Sequence, residues 1–282
     1  MPELPEVETV VRRLTEVLPG KTIIELSVLR DKSFQGNPSF LLDQQIKSIS
    51  RRAKIICLHL TNEKIVLIHV KMTGQLIYHS KDKKIGGGHP SADWVNQLPS
   101  SHTRIIAHLN DGDKLFFNDM RVFGWWKIID PKDLEFEFRN YGPDVNTVDF
   151  SLEYLTEKLV KKSMPIKQVI MDNSTVAGIG NIYASEALYL AGIDPRRSAK
   201  SLDKKEIKDL YNFAKQVIDA GIIAGGTTFD GKYVDIFGMA GQYQNQLNVY
   251  GQDGKSCLKC GALINKVKLG GRGSFFCPNC QK

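Results

Sequence analysis

The 282-residue chain has no apolar run approaching the ~20 residues that a membrane-spanning helix requires. It has no basic segment followed by an apolar core at its start, because Glu3, Glu6 and Glu8 come first, so no secretory signal is expected. Cysteine is almost absent from the body of the chain. Of five, only Cys57 lies outside residues 257–280, which excludes a secreted disulfide framework; Cys57, within Ile55-Ile56-Cys57-Leu58, reads as an inert core residue. Acidic residues are missing from Lys255 onward, where six Lys or Arg occur. No internal repeat or low-complexity tract is present. These absences leave a cytosolic globular protein with no membrane association. An apolar fraction of 42% and a charged fraction of 24% fit that class, and the length suits two domains. A net charge of +7 and a pI near 9.0 point to a polyanionic partner, most simply nucleic acid.

The first residues present are the most informative. Pro2 is a small second residue of the kind that permits removal of Met1, which would leave a secondary amine beside the carboxylate of Glu3. An α-amino group titrates near ~7.7–8.0 against ~10.4 for lysine, so a useful fraction is nucleophilic at neutral pH. A secondary amine condensing with an aldehyde-level carbon gives a cationic iminium, an electron sink. A plainer reading stands beside this one: Pro2 starts a helix, and Glu3 and Glu6 sit where the helix dipole favours carboxylates.

Val7, Val10, Val11, Leu14, Val17 and Leu18 follow helical spacing over 5–18, with Pro19-Gly20 as a stop. Short β-type runs then dominate, over 21–30, 46–50, 53–61, 64–79, 104–110, 114–117 and 123–129. Asn110-Asp111-Gly112 reads as a hairpin turn. Residues 81–101, with Gly86-Gly87-Gly88 and Pro90, read as a surface loop. After Asp130 the pattern turns helical, over 151–162, 165–172, 181–190 and 203–223, the last with Asp203 and Glu206 in capping-box positions. The fold class is α+β in two domains, with a β-sandwich or barrel first.

Two Cys-x-x-Cys knuckles, Cys257/Cys260 and Cys277/Cys280, stand sixteen residues apart. This spacing brings four thiolates around one zinc ion in a closed, structural site. Lys266, Lys268 and Arg272 surround Gly270-Gly271 and Gly273 in an expected β-hairpin, suited to a nucleic-acid backbone or, more plainly, to a folding staple with a solvated face. In Val176-Ala177-Gly178-Ile179-Gly180-Asn181, the glycines make a tight turn and Asn181 opens a helix whose N-terminus can hold a phosphate.

Pro2-Glu3-Leu4-Pro5-Glu6-Val7-Glu8, Arg51-Arg52-Ala53-Lys54, Met171-Asp172-Asn173, the segment 178–186 and the Cys quartet ending in Gln281-Lys282 together resemble bacterial formamidopyrimidine-DNA glycosylases. The resemblance spans essentially the whole chain in order. It implies an N-terminal β-sandwich with a leading helix (1–130), a linker (131–150), a helix–two-turn–helix domain with a lesion lid (151–248) and a zinc finger (249–282). It also implies a monomer acting on damaged double-stranded DNA as a bifunctional glycosylase and AP lyase.

By that resemblance Pro2 attacks the anomeric carbon and Glu3 is the general acid. Lys54 matches the lysine of β-elimination and Arg272 the arginine of δ-elimination; phosphate binding is an equal reading for both. Met72, Arg121 and Phe123 fill the space left by an extruded base. Glu6, His102, Lys167 and Asn181 fall at DNA-binding positions. The chain departs from the family at Val122, where a basic residue is common, and across the lid at 229–246. Leu4 and the Arg121/Phe123 pair favour oxidised purines over the oxidised pyrimidines of an endonuclease VIII-like enzyme. A non-catalytic DNA-binding protein is the reading of a different class.

Overall fold

The protein is described by a computed structural model over residues 2–88, 98–227 and 241–282. Contacts divide the chain into two compact units: Met1–Arg139 with Ala224–Gln242, and Asn140–Ile223 with Tyr243–Lys282.

The first unit opens with helix α1 (Leu4–Leu14), which buries Leu4, Val7, Val10, Val11 and Leu14 on one face. It ends four residues before the apolar spacing does. Glu16 N and Val17 N bond to carbonyls three residues back, tightening the last turn ahead of Pro19, while Val17 and Leu18 still pack into the core.

Ten strands follow: β1 (Thr22–Val28), β2 (Phe34–Gln35), β3 (Gln44–Arg52), β4 (Ile55–Leu60), β5 (Ile65–His69), β6 (Gly74–His79), β7 (Lys84–Gly88), β8 (Thr103–Leu109), β9 (Lys114–Asp119) and β10 (Trp125–Ile129). Their order is β2-β10-β5-β4-β3-β1-β8-β9-β6-β7, with every pairing antiparallel except β2–β10. Only Thr22↔Gln45 and Ile23↔Gln44 join β1 to β3. The ladder therefore folds at that seam into two leaves around one core. Ile56, Leu58, Val66 and Ile68 come from one leaf, Leu76, Ile105, Ala107, Leu115 and Phe117 from the other, and α1 contributes to the same cluster. This is the expected β-sandwich.

Three local expectations are corrected. The run over 64–79 is two strands, broken at Val70–Thr73. Gly86-Gly87-Gly88 belong to strand β7 and are buried, whereas a surface loop was expected over 81–101. A Cβ at Gly86 would lie 2.1 Å from the Leu76 carbonyl oxygen, so the bare backbone is what lets β7 pair with β6. Residues 89–97 of the expected loop lie outside the described residues. Phe123 precedes β10 instead of starting it, and a short helix, α2 (Leu134–Phe138), was not foreseen.

The second unit holds α3 (Leu152–Leu159), α4 (Ile166–Met171), α5 (Asn181–Leu190) and α6 (Lys204–Ile223). Ser151 Oγ caps α3 by accepting from Tyr154 N at 3.1 Å. The capping box of α6 closes reciprocally, Glu206 N to Asp203 Oδ1 at 2.8 Å and Asp203 N to Glu206 Oε2 at 2.9 Å. Strands β11 (Asn265–Leu269) and β12 (Arg272–Phe276) form the expected basic hairpin. Cys257, Cys277, Ile264 and Phe275 share a core with Tyr189 of α5 and Val249. The approach to that core is fixed by Glu186 of α5. Its fully buried carboxylate accepts from the backbone N–H groups of Asn248, Val249 and Tyr250 and from Asn248 Nδ2, at 2.8–3.0 Å. No described helix is long and apolar enough to cross a membrane.

Candidate active site and metal centre

In the first unit Pro2 is buried immediately before α1. Glu3, 3% exposed, is the residue from which α1 starts, so its carboxyl lies at the positive end of the helix. Glu6 is buried as well, and both of its oxygens are engaged: Oε2 accepts from Glu3 N and Oε1 from Thr227 N, each at 2.8 Å. Glu6, expected at a DNA-binding position, ties the first residues of the chain through its carboxylate to Thr227, just ahead of the expected lid. Residues 229–240 of that lid lie outside the described residues; Tyr243–Gln246 at its far end is a short 3-10 helix.

Glu8, two residues further along α1, pairs with Arg12 and with Arg51 of β3. Burial raises its carboxyl, but the hydrogen bonds from both arginines outweigh that and hold it below the ordinary carboxylate range. Arg51 Nη1 also donates to the carbonyl of Ala53 at 2.6 Å, bracing the turn that presents Lys54. Lys54 is 6% exposed and lies close enough to His69, at the end of β5, to depress its imidazole. Burial chiefly, then Lys71 and Lys54, bring His69 down to about 3, so it is neutral and its Nδ1 accepts from Lys71 N at 3.1 Å.

Met72 follows at once and is 40% exposed. Arg121 Nη1 reaches its sulfur at 3.3 Å, and the Arg121 guanidinium lies over the Phe123 ring at 4.6 Å. Met72, Arg121 and Phe123 thus form one continuous outward-facing group. Beneath them a buried polar ladder crosses three strands, Thr103 Oγ1 to Asn118 Oδ1 at 2.8 Å and Asn118 Nδ2 to Gln75 Oε1 at 3.3 Å. His102 is half-buried, and its carbonyl accepts from Asp119 N at 2.8 Å.

Five non-glycine residues among those described have a left-handed backbone, and three adjoin this site: Ala53 before Lys54, Lys71 before Met72, and Val122 between Arg121 and Phe123. Such conformations cost on the order of 1–3 kcal/mol each and persist only where surrounding bonds hold them.

In the second unit Asn181 and Lys167 meet the basic hairpin. Asn181 Nδ2 donates to the Gly273 carbonyl at 3.1 Å. Lys167 was expected at a DNA-binding position. The side chain is 1% exposed, with Nζ donating to Ser185 Oγ at 2.9 Å, Ser274 Oγ at 3.0 Å and the Gly273 carbonyl at 3.5 Å. An ammonium so enclosed positions Gly273 and its neighbour Arg272, which is exposed. The four cysteine sulfurs lie within 4.8 Å of one another, with Cys260–Cys277 at 3.4 Å and Cys257–Cys280 at 3.9 Å. Zinc bound tetrahedrally at ~2.3 Å requires sulfurs about 3.8 Å apart. The quartet therefore fits one structural zinc ion.

Sequence reasoning missed His69, Asp119, the Glu8–Arg51 pair and Glu186. His69 carried a faint signal, an ionisable residue ending an otherwise apolar strand just before Met72. The others reveal themselves only through what their buried atoms bond.

Three family profiles match the chain: the formamidopyrimidine-DNA glycosylase N-terminal domain over residues 1–126, the H2TH domain of the same enzymes over 141–232, and the zinc finger found in FPG and IleRS over 254–282. Among curated relatives, the formamidopyrimidine-DNA glycosylase of Desulforamulus reducens is 37% identical and that of Listeria monocytogenes 38%. Each alignment covers 100% of this chain and at least 99% of the relative. Among solved structures, a mutant Lactococcus lactis FPG in complex with Fapy-dG-containing DNA matches with a TM-score of 0.88 and 31% identity over 100% of both chains. The Lactococcus lactis enzyme bound non-covalently to AP-site DNA gives 0.86 and 30%, over 99% of both chains. MutM in complex with carbocyclic 8-oxo-G DNA gives 0.88 and 31%, over 100% of both. With profiles spanning most of its length and full-length relatives above 30% identity, the chain belongs to the formamidopyrimidine-DNA glycosylase family.

Proposed function

We propose that this protein is a bifunctional DNA glycosylase and AP lyase that excises oxidised purines, 8-oxoguanine and formamidopyrimidines, from duplex DNA in base excision repair. The observation that carries the reading is the start of α1: Pro2-Glu3 is buried at the helix N-terminus and linked by Glu8, Arg51, Ala53 and Lys54 to His69 and Met72. Once Met1 is removed, the Pro2 amine attacks the anomeric carbon, the base departs and an iminium links protein to sugar. Glu3 protonates the ring oxygen as the sugar opens. The iminium acidifies neighbouring sugar protons, so β- and then δ-elimination cut the strand on both sides. Lys54 serves the first elimination and Arg272 the second, each beside a phosphate it also neutralises. Met72, Arg121 and Phe123 occupy the space of the extruded base, with Arg121 facing its former partner. Asn181 adds a phosphate contact at a helix N-terminus, and His102 another on the first unit.

The labour is assigned along the expected boundaries, 1–130 for chemistry, 131–150 as linker, 151–248 and the zinc finger at 249–282 for grip, with Ala224–Gln242 belonging to the first compact unit. The protein acts as a monomer in the cytosol, at the nucleoid. Borohydride reduction with an 8-oxoguanine duplex tests the reading. A covalent adduct is expected, abolished in Pro2→Gly with Met1 retained and diminished in Glu3→Gln. Absence of any adduct from the wild type overturns it, and faster excision of thymine glycol than of 8-oxoguanine transfers the enzyme to oxidised pyrimidines.

A further inference from the structure

Asp119, at the end of β9, is fully buried, yet its carboxylate makes no ion pair among the described residues. Burying a carboxylate is costly unless donors replace its water. Here there are four. Thr73 Oγ1 and Arg121 N (3.1 Å) donate to Oδ1, while Phe123 N (2.7 Å) and Gly124 N (2.6 Å) donate to Oδ2. Arg121 N is shared with Thr73 Oγ1, also at 3.1 Å. The neighbouring backbone is braced too, because Arg104 Nε donates to the Asp119 carbonyl at 2.8 Å.

Every donor belongs to the segments that carry Met72, Arg121 and Phe123. Thr73 directly follows Met72, and the three amides are those of the turn 121–124. That turn is strained and crowded. Val122 is β-branched and sits at φ +53°, a region such residues rarely adopt. Gly124 is pressed so close that a Cβ there would lie 2.9 Å from the His69 carbonyl oxygen and 3.2 Å from Asp119 Oδ2. One acceptor-only group with two oxygens satisfies both sides of this arrangement. An amide has a single acceptor oxygen and can serve only one pair of donors.

We infer that Asp119 is the positioning residue of the void-filling group: its carboxylate fixes Arg121, Phe123 and, through Thr73, Met72 in the geometry that invades the duplex. The inference rests on the base-excision reading above. It separates two parts of that reaction, because a base must be extruded from a duplex but not from a single strand that already lacks it. The experiment compares wild type, Asp119→Asn and Thr73→Val on an 8-oxoguanine duplex and on a single-stranded abasic oligonucleotide trapped with borohydride, with 2-aminopurine opposite the lesion reporting unstacking.

Both variants are expected to lose about tenfold or more in single-turnover duplex excision, together with the 2-aminopurine rise, while single-strand trapping stays within about threefold of wild type. Thr73→Val keeps the side-chain shape and stands in if Asp119→Asn does not fold. Equal losses on both substrates, or unchanged duplex excision, overturn the inference. A wild type that traps neither substrate removes the base-excision reading itself, and this one with it.

Discussion

Arg51 Nε lies 3.0 Å from Glu8 Oε2, and through this pair the helix that begins at Pro2-Glu3 is bonded to the turn that carries Lys54. The pair is more than a surface contact: the Arg51 side chain is 6% exposed, and its Nη1 donates to the carbonyl of left-handed Ala53.

Arg51→Lys is expected to keep the charge and lose the fork, since an ammonium cannot face Glu8 and the Ala53 carbonyl in the same geometry. Misplacing Lys54 against α1 should slow strand cleavage on the order of tenfold or more with little change in DNA affinity. Single-turnover kinetics on an abasic duplex check this; a loss confined to affinity would count against it. Glu8→Gln carries a pH signature. Because the folded carboxyl is held below its unfolded value, the stability it contributes is present above the ordinary carboxylate range and lost as pH falls through the folded value. The melting temperatures of variant and wild type should therefore differ at pH 7 and draw together only as pH falls below the ordinary carboxylate range.

His69 gives the opposite kind of group the same sign. Its imidazole, brought down to about 3 from an ordinary 6.5, stays neutral while the unfolded chain takes up a proton. Stability is then fully present above about 6.5 and falls toward about 3, by up to about 1.4 kcal/mol per pH unit. The ring resonances of His69 should not titrate between pH 8 and 5, and His69→Gln should flatten the acid limb of a thermal-stability profile.

The two basic residues at the hairpin should separate in salt. Arg272→Ala is expected to reduce the slope of log affinity against log salt by about one, as loss of a phosphate contact does. Lys167→Met should leave that slope unchanged and lower the melting temperature, because its ammonium is spent on Ser185, Ser274 and Gly273. A reduced slope for Lys167→Met would put its charge back on the DNA.

Metal analysis should find one zinc per chain. Chelation or Cys260→Ser should abolish duplex binding while leaving the sandwich folded, since the metal site and its core lie in the second unit. Glu186→Gln is a gentler version. It exchanges an acceptor for a donor where three backbone amides converge, and should cost about 1–3 kcal/mol and raise the zinc off-rate.

Much of this was legible in the residues. The apolar spacing that gives α1 through Leu14, the cap at Asp203/Glu206 and the two Cys-x-x-Cys knuckles are local patterns, and these local patterns survive folding. What the string hid was long-range. The enclosure of Lys167 shows only once Ser185 and Ser274 are seen around it, and three consecutive glycines read as a loop until β6 is laid beside them. Asp119 precedes Met120-Arg121 in the string with no role attached to it. Its importance depends on donors from two separate segments meeting at one point, and no periodicity encodes that.

The left-handed residues at 53, 71 and 122 carry a cost for anyone seeking a hardier version of this protein. Glycine or asparagine there would ease the backbone and raise the melting temperature, yet the same change would let the fingers of the site wander. Screens that reward heat resistance alone should therefore collect substitutions at these three places, and those clones should be the ones whose repair activity declines.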